Sequence, residues 1–93
     1  MLVTVAVILG KIKRIIALKD LNSDNEEKIM RASYALGDLA VVCPGDIDHI
    51  GNDPNAIPRL IECLHHKSEN IKMYAAYALA NLADPHPVNQ ERI

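Results

Sequence analysis

Cysteine and histidine are the residues of this sequence most capable of site chemistry, because both bind metal ions and both can act as nucleophiles or proton carriers. The chain carries Cys43, Cys63, His49, His65, His66 and His86. Paired zinc ligands typically have two to four residues between them. Cys63 and His66 have that spacing, but the other cysteine and histidines form no second pair of this kind. The histidines fall in polar segments, where a solvated imidazole is the usual state. The sequence therefore predicts no metal site and no cofactor.

Other catalytic motifs are also absent from the sequence. It contains no Gly-rich phosphate-binding loop and no Ser–His–Asp pattern. We therefore expect that the protein is not an enzyme.

Composition narrows the class of protein further. A length of 93 residues allows one domain, and a chain that is 49% hydrophobic and 24% charged is folded rather than disordered. The formal net charge of −2 leaves no basic excess for binding nucleic acid. Two cysteines are too few for a disulfide framework, which favours an intracellular location, cytoplasmic or nuclear.

The first nine residues, MLVTVAVIL, form an apolar run. In a signal peptide positive charge precedes such a run, but here Lys11, Lys13 and Arg14 follow it. The run is also far shorter than the roughly 20 residues needed to span a bilayer. We therefore expect no membrane partner, and we expect residues 1–9 to form a buried first helix or strand.

Two copies of one segment occur in the chain. Residues 30–40 (MRASYALGDLA) and 73–83 (MYAAYALANLA) are identical at seven of eleven positions, with an offset of 43 residues. Further back, residues 10–16 (GKIKRII) align with 55–61 (NAIPRLI) at an offset of 45. The two extra residues of the first copy fall in the polar stretch 22–27. A repeat of this length is typical of helical repeat architectures.

Each copy has the apolar spacing of helices. Apolar residues three and four positions apart share a helical face, and they are Ile29, Ala32, Leu36 and Leu39 in the first copy and Ile71, Ala75, Ala78, Leu79 and Leu82 in the second. Asn25, Pro58 and Ser68 are suited to helix starts. Each repeat is therefore predicted to contain a short, a medium and a long helix. We expect full burial of Ala32, Ala35, Ala75 and Ala78.

The second copy resembles an armadillo repeat. Residues 55–64 (NAIPRLIECL) and 75–83 (AAYALANLA) are similar to its pattern, Gly-Ala-Ile-Pro-x-Leu-Ile-x-Leu-Leu followed by Ala-x-x-Ala-Leu-x-Asn-Leu-Ala. In the first copy Lys13 replaces the Pro and Asp38 replaces the Asn. The resemblance implies an all-α fold, a right-handed α-solenoid of armadillo-type three-helix repeats. The single domain, residues 1–93, would comprise a first repeat (1–42), a second (43–84) and the start of a third (85–93).

The resemblance also implies a function. In armadillo proteins the third helices line a concave groove, and the family pattern places Tyr77 and Asn81 there, with Tyr34 and Asp38 at the matching positions. An Asn amide can pair with both the N–H and the C=O of a peptide, whereas an ionised Asp only accepts and would pair with Lys or Arg. The resemblance thus implies a protein–protein interaction module that binds an extended peptide or protein segment.

An alternative remains open on the sequence alone. Asn81 could hydrogen-bond within its own solenoid while Tyr77 packs on a neighbouring repeat. The chain would then be a structural solenoid fragment that caps, links or self-associates without a ligand groove of its own.

Assembly follows from the number of repeats. About three repeats are needed for independent stability, because each buries its faces against neighbours. Two repeats would leave Leu64, Leu79 and Leu82 uncovered at one end, and the apolar residues 1–9 lie at the other. The sequence therefore predicts either a homo-oligomer formed end to end through exposed repeat ends, or instability of the monomer.

Overall fold

Six helices build the protein, and a computed structural model describes residues 2–84 and 86–93. The helices are α1 (Leu2–Asp20), α2 (Glu26–Val42), α3 (Asp46–Asn52), α4 (Ala56–Cys63), α5 (Glu69–Ala83) and α6 (Pro87–Arg92). The all-α prediction is confirmed. The most extensive contact between helices is that of α2 with α5, the long helices of the two copies.

The starts of the two long helices follow local capping rules. The Asn25 side chain accepts a hydrogen bond from the backbone N–H of Lys28 at the start of α2. Ser68 caps α5 in the same way, by accepting from the N–H of Ile71. Each cap satisfies a backbone donor that has no partner inside the helix. Both predicted helix starts are confirmed.

One aliphatic core runs through both copies. Its largest fully buried apolar side chains are Leu21, Ile29, Leu36, Ile50, Ile57, Leu60, Ile71 and Leu82. The predicted burial of Ala32, Ala75 and Ala78 is confirmed, but the prediction for Ala35 is wrong, since it is only partly buried. Ala35 faces an open groove beside α1, whereas Ala78 at the equivalent position of α5 is covered by α2.

The first copy has two helices and not three. Residues 2–20 form one continuous helix, because Gly10 alone does not end a helix, whereas Pro54 and an extended Asp53 separate α3 from α4 in the second copy. The predicted burial of residues 1–9 is also wrong where the structure describes the side chains. Val5, Val7, Ile8 and Leu9 are each about half exposed. Met1 lies outside the described residues.

The far end of the molecule is better covered than the sequence indicates. Leu79 and Leu82 are 6% and 0% exposed, and Leu64 is partly buried against the core. The prediction of an uncovered leucine layer is therefore wrong for Leu79 and Leu82. The short helix α6 packs on α5 there, and Asn89 of α6 donates a hydrogen bond to the carbonyl of Leu82.

Two arginines link segments that are distant in sequence. Arg14 of α1 pairs with Asp46 at the start of α3, with 2.5 Å between Nη1 and Oδ1. Arg59 of α4 donates from Nε to the carbonyl of Leu21 and from Nη2 to that of Ser23. These bonds fix the turn after α1 against the second repeat.

Candidate functional site

Three tyrosines, the only aromatic residues of the chain, meet where α2 crosses α5. The rings of Tyr34 and Tyr77 are stacked with their centroids 6.0 Å apart. Tyr74 meets Tyr34 edge to face at 5.3 Å. Tyr34 is 49% exposed, and the other two are partly buried. The cluster thus presents an aromatic surface that is anchored on one side and open to solvent on the other.

Sequence reasoning singled out Tyr34 and Tyr77 but missed Tyr74. The repeat offset of 43 aligns Tyr74 with Arg31, so the repeat comparison gave no aromatic match. A second signal was present in the sequence. Tyr74 and Tyr77 are three positions apart, which places them on one helical face.

Gly37 of α2 seats the ring of Tyr77. A methyl group in place of the Gly37 hydrogen would lie 2.5 Å from Cδ2 of Tyr77 and 3.1 Å from Cα of Ala78. The two long helices therefore approach closely at this point, and a side chain larger than hydrogen has no room.

Asn81 lies one helical turn beyond Tyr77 and is partly buried. Its Nδ2 donates to the backbone carbonyl of Gly37 over 3.0 Å, which ties α5 to α2. An amide has two N–H donors and one carbonyl acceptor. Within residues 2–84 and 86–93 the Oδ1 atom accepts no hydrogen bond, so Asn81 keeps one acceptor and one donor for other groups.

Asp38 follows Gly37 directly and is exposed. The four residues expected to bind a peptide therefore fall into two adjacent pairs. Tyr34 contacts Tyr77, and Asp38 lies beside the backbone carbonyl that Asn81 holds. Together these four residues form a surface that we call the tyrosine–amide patch.

A groove with a volume of about 660 Å³ runs between α1 and α2. Leu9, Lys13 and Ile16 line it from α1, and Tyr34 and Asp38 line it from α2. Its walls are mainly apolar. Tyr34 and Asp38 thus belong both to the tyrosine–amide patch and to this groove, whereas Tyr77 and Asn81 belong to the patch alone.

The histidines with described contacts serve as local caps. His66 accepts from the backbone N–H of Ser68, and His86 accepts from that of Asn89 at the start of α6. The other ring nitrogen of His86, Nε2, contacts the carboxylate of Asp48. In the part of the chain that the structure describes, no three His, Cys, Asp or Glu side chains are grouped so that they could hold a metal ion.

Cys63 is a core residue, 1% exposed. Burial raises the pKa of its thiol, and the nearby Glu62 carboxylate raises it further, against the lowering effect of the Arg59 guanidinium. A thiol with a raised pKa carries little thiolate at neutral pH and is a poor nucleophile. The second cysteine, Cys43, is partly exposed, and neither forms a disulfide.

Successive copies of one helix, packed side by side with equivalent tyrosines in contact, define a helical-repeat protein. Residues 43–84 match the family model of the Armadillo/beta-catenin-like repeat. This match covers the second copy and supports an armadillo-repeat family. No curated protein and no solved structure shows significant similarity to it. Armadillo repeats are in general non-enzymatic modules of protein interaction.

The apolar start of α1 does not make it a membrane span. Among the helices of the described chain, none combines the length and the apolar character needed to cross a membrane.

Proposed function

We propose that the protein is a protein–protein interaction module that binds an extended peptide or protein segment across the tyrosine–amide patch. The general role of armadillo repeats supports this proposal. The observation that carries it is the half-exposed Tyr34 ring, stacked on Tyr77 beside an Asn81 amide that keeps a donor and an acceptor. The partner is a protein or peptide, with no role for nucleic acid, membrane, metal or cofactor.

Asn81 would hold the backbone of the ligand. Its Oδ1 can accept from a peptide N–H while its second Nδ2 hydrogen donates to a peptide C=O. The bond to Gly37 supports this role, because it fixes the amide plane before the ligand arrives. A prearranged side chain loses less conformational entropy on binding.

Asp38 would select the ligand side chain. An exposed carboxylate one turn from the Tyr34 ring can pair with a Lys or Arg, and the ring face can hold the same cation. We therefore propose a ligand that presents a basic residue over the first repeat and plain backbone over the second.

Selection of peptides from a random display library on the wild-type chain tests this function and needs no candidate partner. Enriched peptides are then titrated calorimetrically against Asn81→Ala and against Asn70→Ala, an exposed asparagine of the same helix. Loss of the two backbone contacts predicts affinity about 5- to 150-fold weaker for Asn81→Ala, equivalent to about 1–3 kcal/mol. Asn70→Ala should bind like the wild type.

A charge variant separates backbone recognition from recognition of a basic side chain. Asp38→Asn should weaken peptides that carry Lys or Arg, and this loss should shrink as salt is raised. It should strengthen peptides that present backbone there, because Asn supplies a donor. If no enriched peptide is sensitive to either substitution, the tyrosine–amide patch is not the binding site.

The structural alternative is supported by a specific observation. Asn81 is hydrogen-bonded to Gly37, and Tyr77 fills the space above that glycine, so both already join the two repeats. Under this alternative the chain is a fragment that caps, links or self-associates. Asn81→Ala would then lower the free energy of unfolding, and library selection would enrich no peptide at the patch.

The proposed location is intracellular, in the cytoplasm or nucleus. Cys43 and Cys63 are both free in the structure, and free thiols persist in the reducing conditions of those compartments. Fractionation of cells that express a tagged chain would test the location.

A further inference from the structure

The contact between α2 and α5 shows what covers the leading face of a repeat in this fold. On α5 that face contains Tyr77, Ala78 and Asn81. Gly37 of α2 lies against the first two, and its carbonyl accepts from the third. The covering element is thus a helix that presents a glycine and a backbone carbonyl.

The same face exists on α2 and is open. At the repeat offset of 43, the equivalent residues are Tyr34, Ala35 and Asp38. All three line the groove of about 660 Å³ between α1 and α2. Ala35 is only partly buried there, whereas its counterpart in the second repeat is fully buried under a helix. The repeat symmetry therefore marks this groove as a helix-binding face.

We propose that the groove between α1 and α2 binds a helix of another protein that places a glycine against Tyr34 and a basic side chain against Asp38. This inference goes beyond the proposed peptide function, because its ligand is a helix and its site is walled by α1. Leu9 and Ile16 of α1 supply apolar contact area for the bound helix.

The requirement for glycine follows from the way the Tyr77 ring packs against Gly37. A Cβ atom at Gly37 would lie 2.5 Å from the Tyr77 ring and 3.1 Å from a backbone carbon of α5. A helix that covers Tyr34 at the same distance meets the same limit, so it needs a residue without a side chain at that point.

The requirement for a basic residue follows from the exchange of Asn for Asp. Asn81 satisfies the carbonyl of Gly37 by donating to it. Asp38 is a carboxylate and can only accept hydrogen bonds. It therefore cannot donate to the glycine carbonyl of an incoming helix, and the two acceptors would repel each other. A Lys or Arg on the incoming helix, one turn after its glycine, can bond both the carbonyl and Asp38.

A second copy of this chain lacks both features. The residue of α5 equivalent to Gly37 is Ala80, which is exposed. Its methyl group would meet the Tyr34 ring, and its carbonyl would face Asp38. Copies therefore do not stack end to end in the geometry that joins the two internal repeats, which restricts the homo-oligomer predicted from the sequence.

The α2 sequence itself provides the probe. A peptide of residues 26–42, held helical by a staple on the side away from its glycine, is compared with its Val41→Lys form and with Val41→Lys/Gly37→Ala. Fluorescence anisotropy against the wild-type chain should show the Val41→Lys peptide binding about 5- to 10-fold tighter than the parent, because a charge-assisted bond to Asp38 replaces two opposed acceptors. The form with Gly37→Ala should lose this gain.

Variants of the protein give the outcomes that would overturn the proposal. With Asp38→Asn, the parent peptide should bind more tightly than the Val41→Lys peptide, which reverses the order of the two affinities. Asn81→Ala removes a patch residue outside the groove and should leave the wild-type order of affinities unchanged. Equal binding of all three peptides to the wild type would refute the glycine and charge requirements. An order that changes with Asn81→Ala would mean that the peptides bind the tyrosine–amide patch and not the groove.

Sedimentation velocity tests the exclusion of a second copy. The wild type should show no association through the groove. The double variant Asp38→Asn/Ala80→Gly removes the methyl group that would meet Tyr34 and replaces the carboxylate that would face a carbonyl, so it should associate as concentration rises. Wild-type oligomers that Tyr34→Ala dissolves would overturn the proposal. A double variant that stays monomeric would refute the equivalence of the two faces on which the proposal rests.

Discussion

Gly37 controls the distance between the two repeats. The Tyr77 ring lies where its side chain would project, and the Gly37 carbonyl accepts from Asn81. Steric fit and hydrogen bonding thus coincide at one residue. A substitution there changes both at once, while most of the aliphatic core tolerates small changes of shape.

Replacement of Gly37 by Ala should destabilise the fold despite the better helix propensity of Ala. Overpacking of a tight site costs about 1–3 kcal/mol, while Ala in place of Gly in a helix gains up to about 1 kcal/mol. The net loss arises because the Tyr77 ring and the Ala78 backbone cannot both move away. Urea unfolding measures the free energy of unfolding directly.

Gly10→Ala is the matched control, since Gly10 is also within a helix. Its added methyl group would lie 3.9 Å from Sγ of Cys43, an ordinary contact. We expect this variant to be more stable than the wild type by about 0.5–1 kcal/mol. Stabilisation by both substitutions would contradict the close approach at Gly37.

The two cysteines should differ sharply in reactivity. Burial raises the pKa of the Cys63 thiol from its ordinary value of 9.0, so little of this thiol is ionised in the folded protein. At pH 8 a thiol reagent should modify Cys43 rapidly and Cys63 only as the fold opens. Cys63→Ser should remove the slow phase, and urea should make the two rates equal. Fast reaction of both thiols in the native protein would contradict the buried position.

The raised pKa also has a consequence for stability. The folded state disfavours the Cys63 thiolate, so folding is favoured by keeping this thiol neutral. The contribution of the neutral thiol to the free energy of unfolding is therefore complete below the ordinary thiol pKa and is lost as the pH rises above it.

At the scale of elements, α1 is joined to the second repeat by one ion pair. The Arg14 and Asp46 side chains are only 15% and 12% exposed, so each is largely removed from water. Breaking such a pair leaves an uncompensated charge, which is what makes single substitutions severe. The exposed pair of Arg31 with Glu27 lies on the surface of α2 and has no such consequence.

Arg14→Met should therefore destabilise the protein by about 3 kcal/mol, since it leaves the Asp46 carboxylate without its partner. The double variant Arg14→Met/Asp46→Leu should recover most of that loss, because no buried charge remains. Thermal and urea unfolding of the wild type, the two single variants and the double variant give the coupling free energy between Arg14 and Asp46. Arg31→Met serves as the surface control, with an expected change below about 0.5 kcal/mol.

What the sequence could predict is confined to local and repeated features. The helix starts at Asn25 and Ser68 follow from short-range capping, and the equivalence of the two copies follows from seven shared residues. The continuous α1 was not predictable from the repeat, because the second copy has a break at Pro54 that the first copy lacks. Partial exposure of Ala35 was missed for a related reason: identical residues in two copies have different neighbours.

The site shows the same division. Sequence alone placed Tyr34 and Tyr77 at equivalent positions, but their stacking at 6.0 Å depends on how closely Gly37 lets the helices approach. The Asn81 bond to Gly37 joins residues 44 positions apart. Such pairings require the tertiary structure, since no local pattern specifies them.

At the scale of the whole molecule, exposed apolar area is concentrated on α1. Val5, Ile8, Ile12, Ile15 and Ile16 are between 46% and 62% exposed. These positions recur at spacings of three and four residues and therefore form one stripe. The opposite side of α1, which includes Ala17, packs on the core. A stripe of this kind on a small chain favours association with other apolar surfaces.

Placing a charge in this stripe should reduce non-specific association without loss of the fold. Ile15 is 62% exposed, so Ile15→Lys removes little buried area and should change the free energy of unfolding by less than about 0.5 kcal/mol. Light scattering during a concentration series should show a higher onset of aggregation than for the wild type. Ile57→Lys, at a position that is 1% exposed, is the contrasting variant and should unfold the chain, because it buries an unpaired charge. If Ile15→Lys unfolded the chain as well, α1 would have to be packed along its outer side.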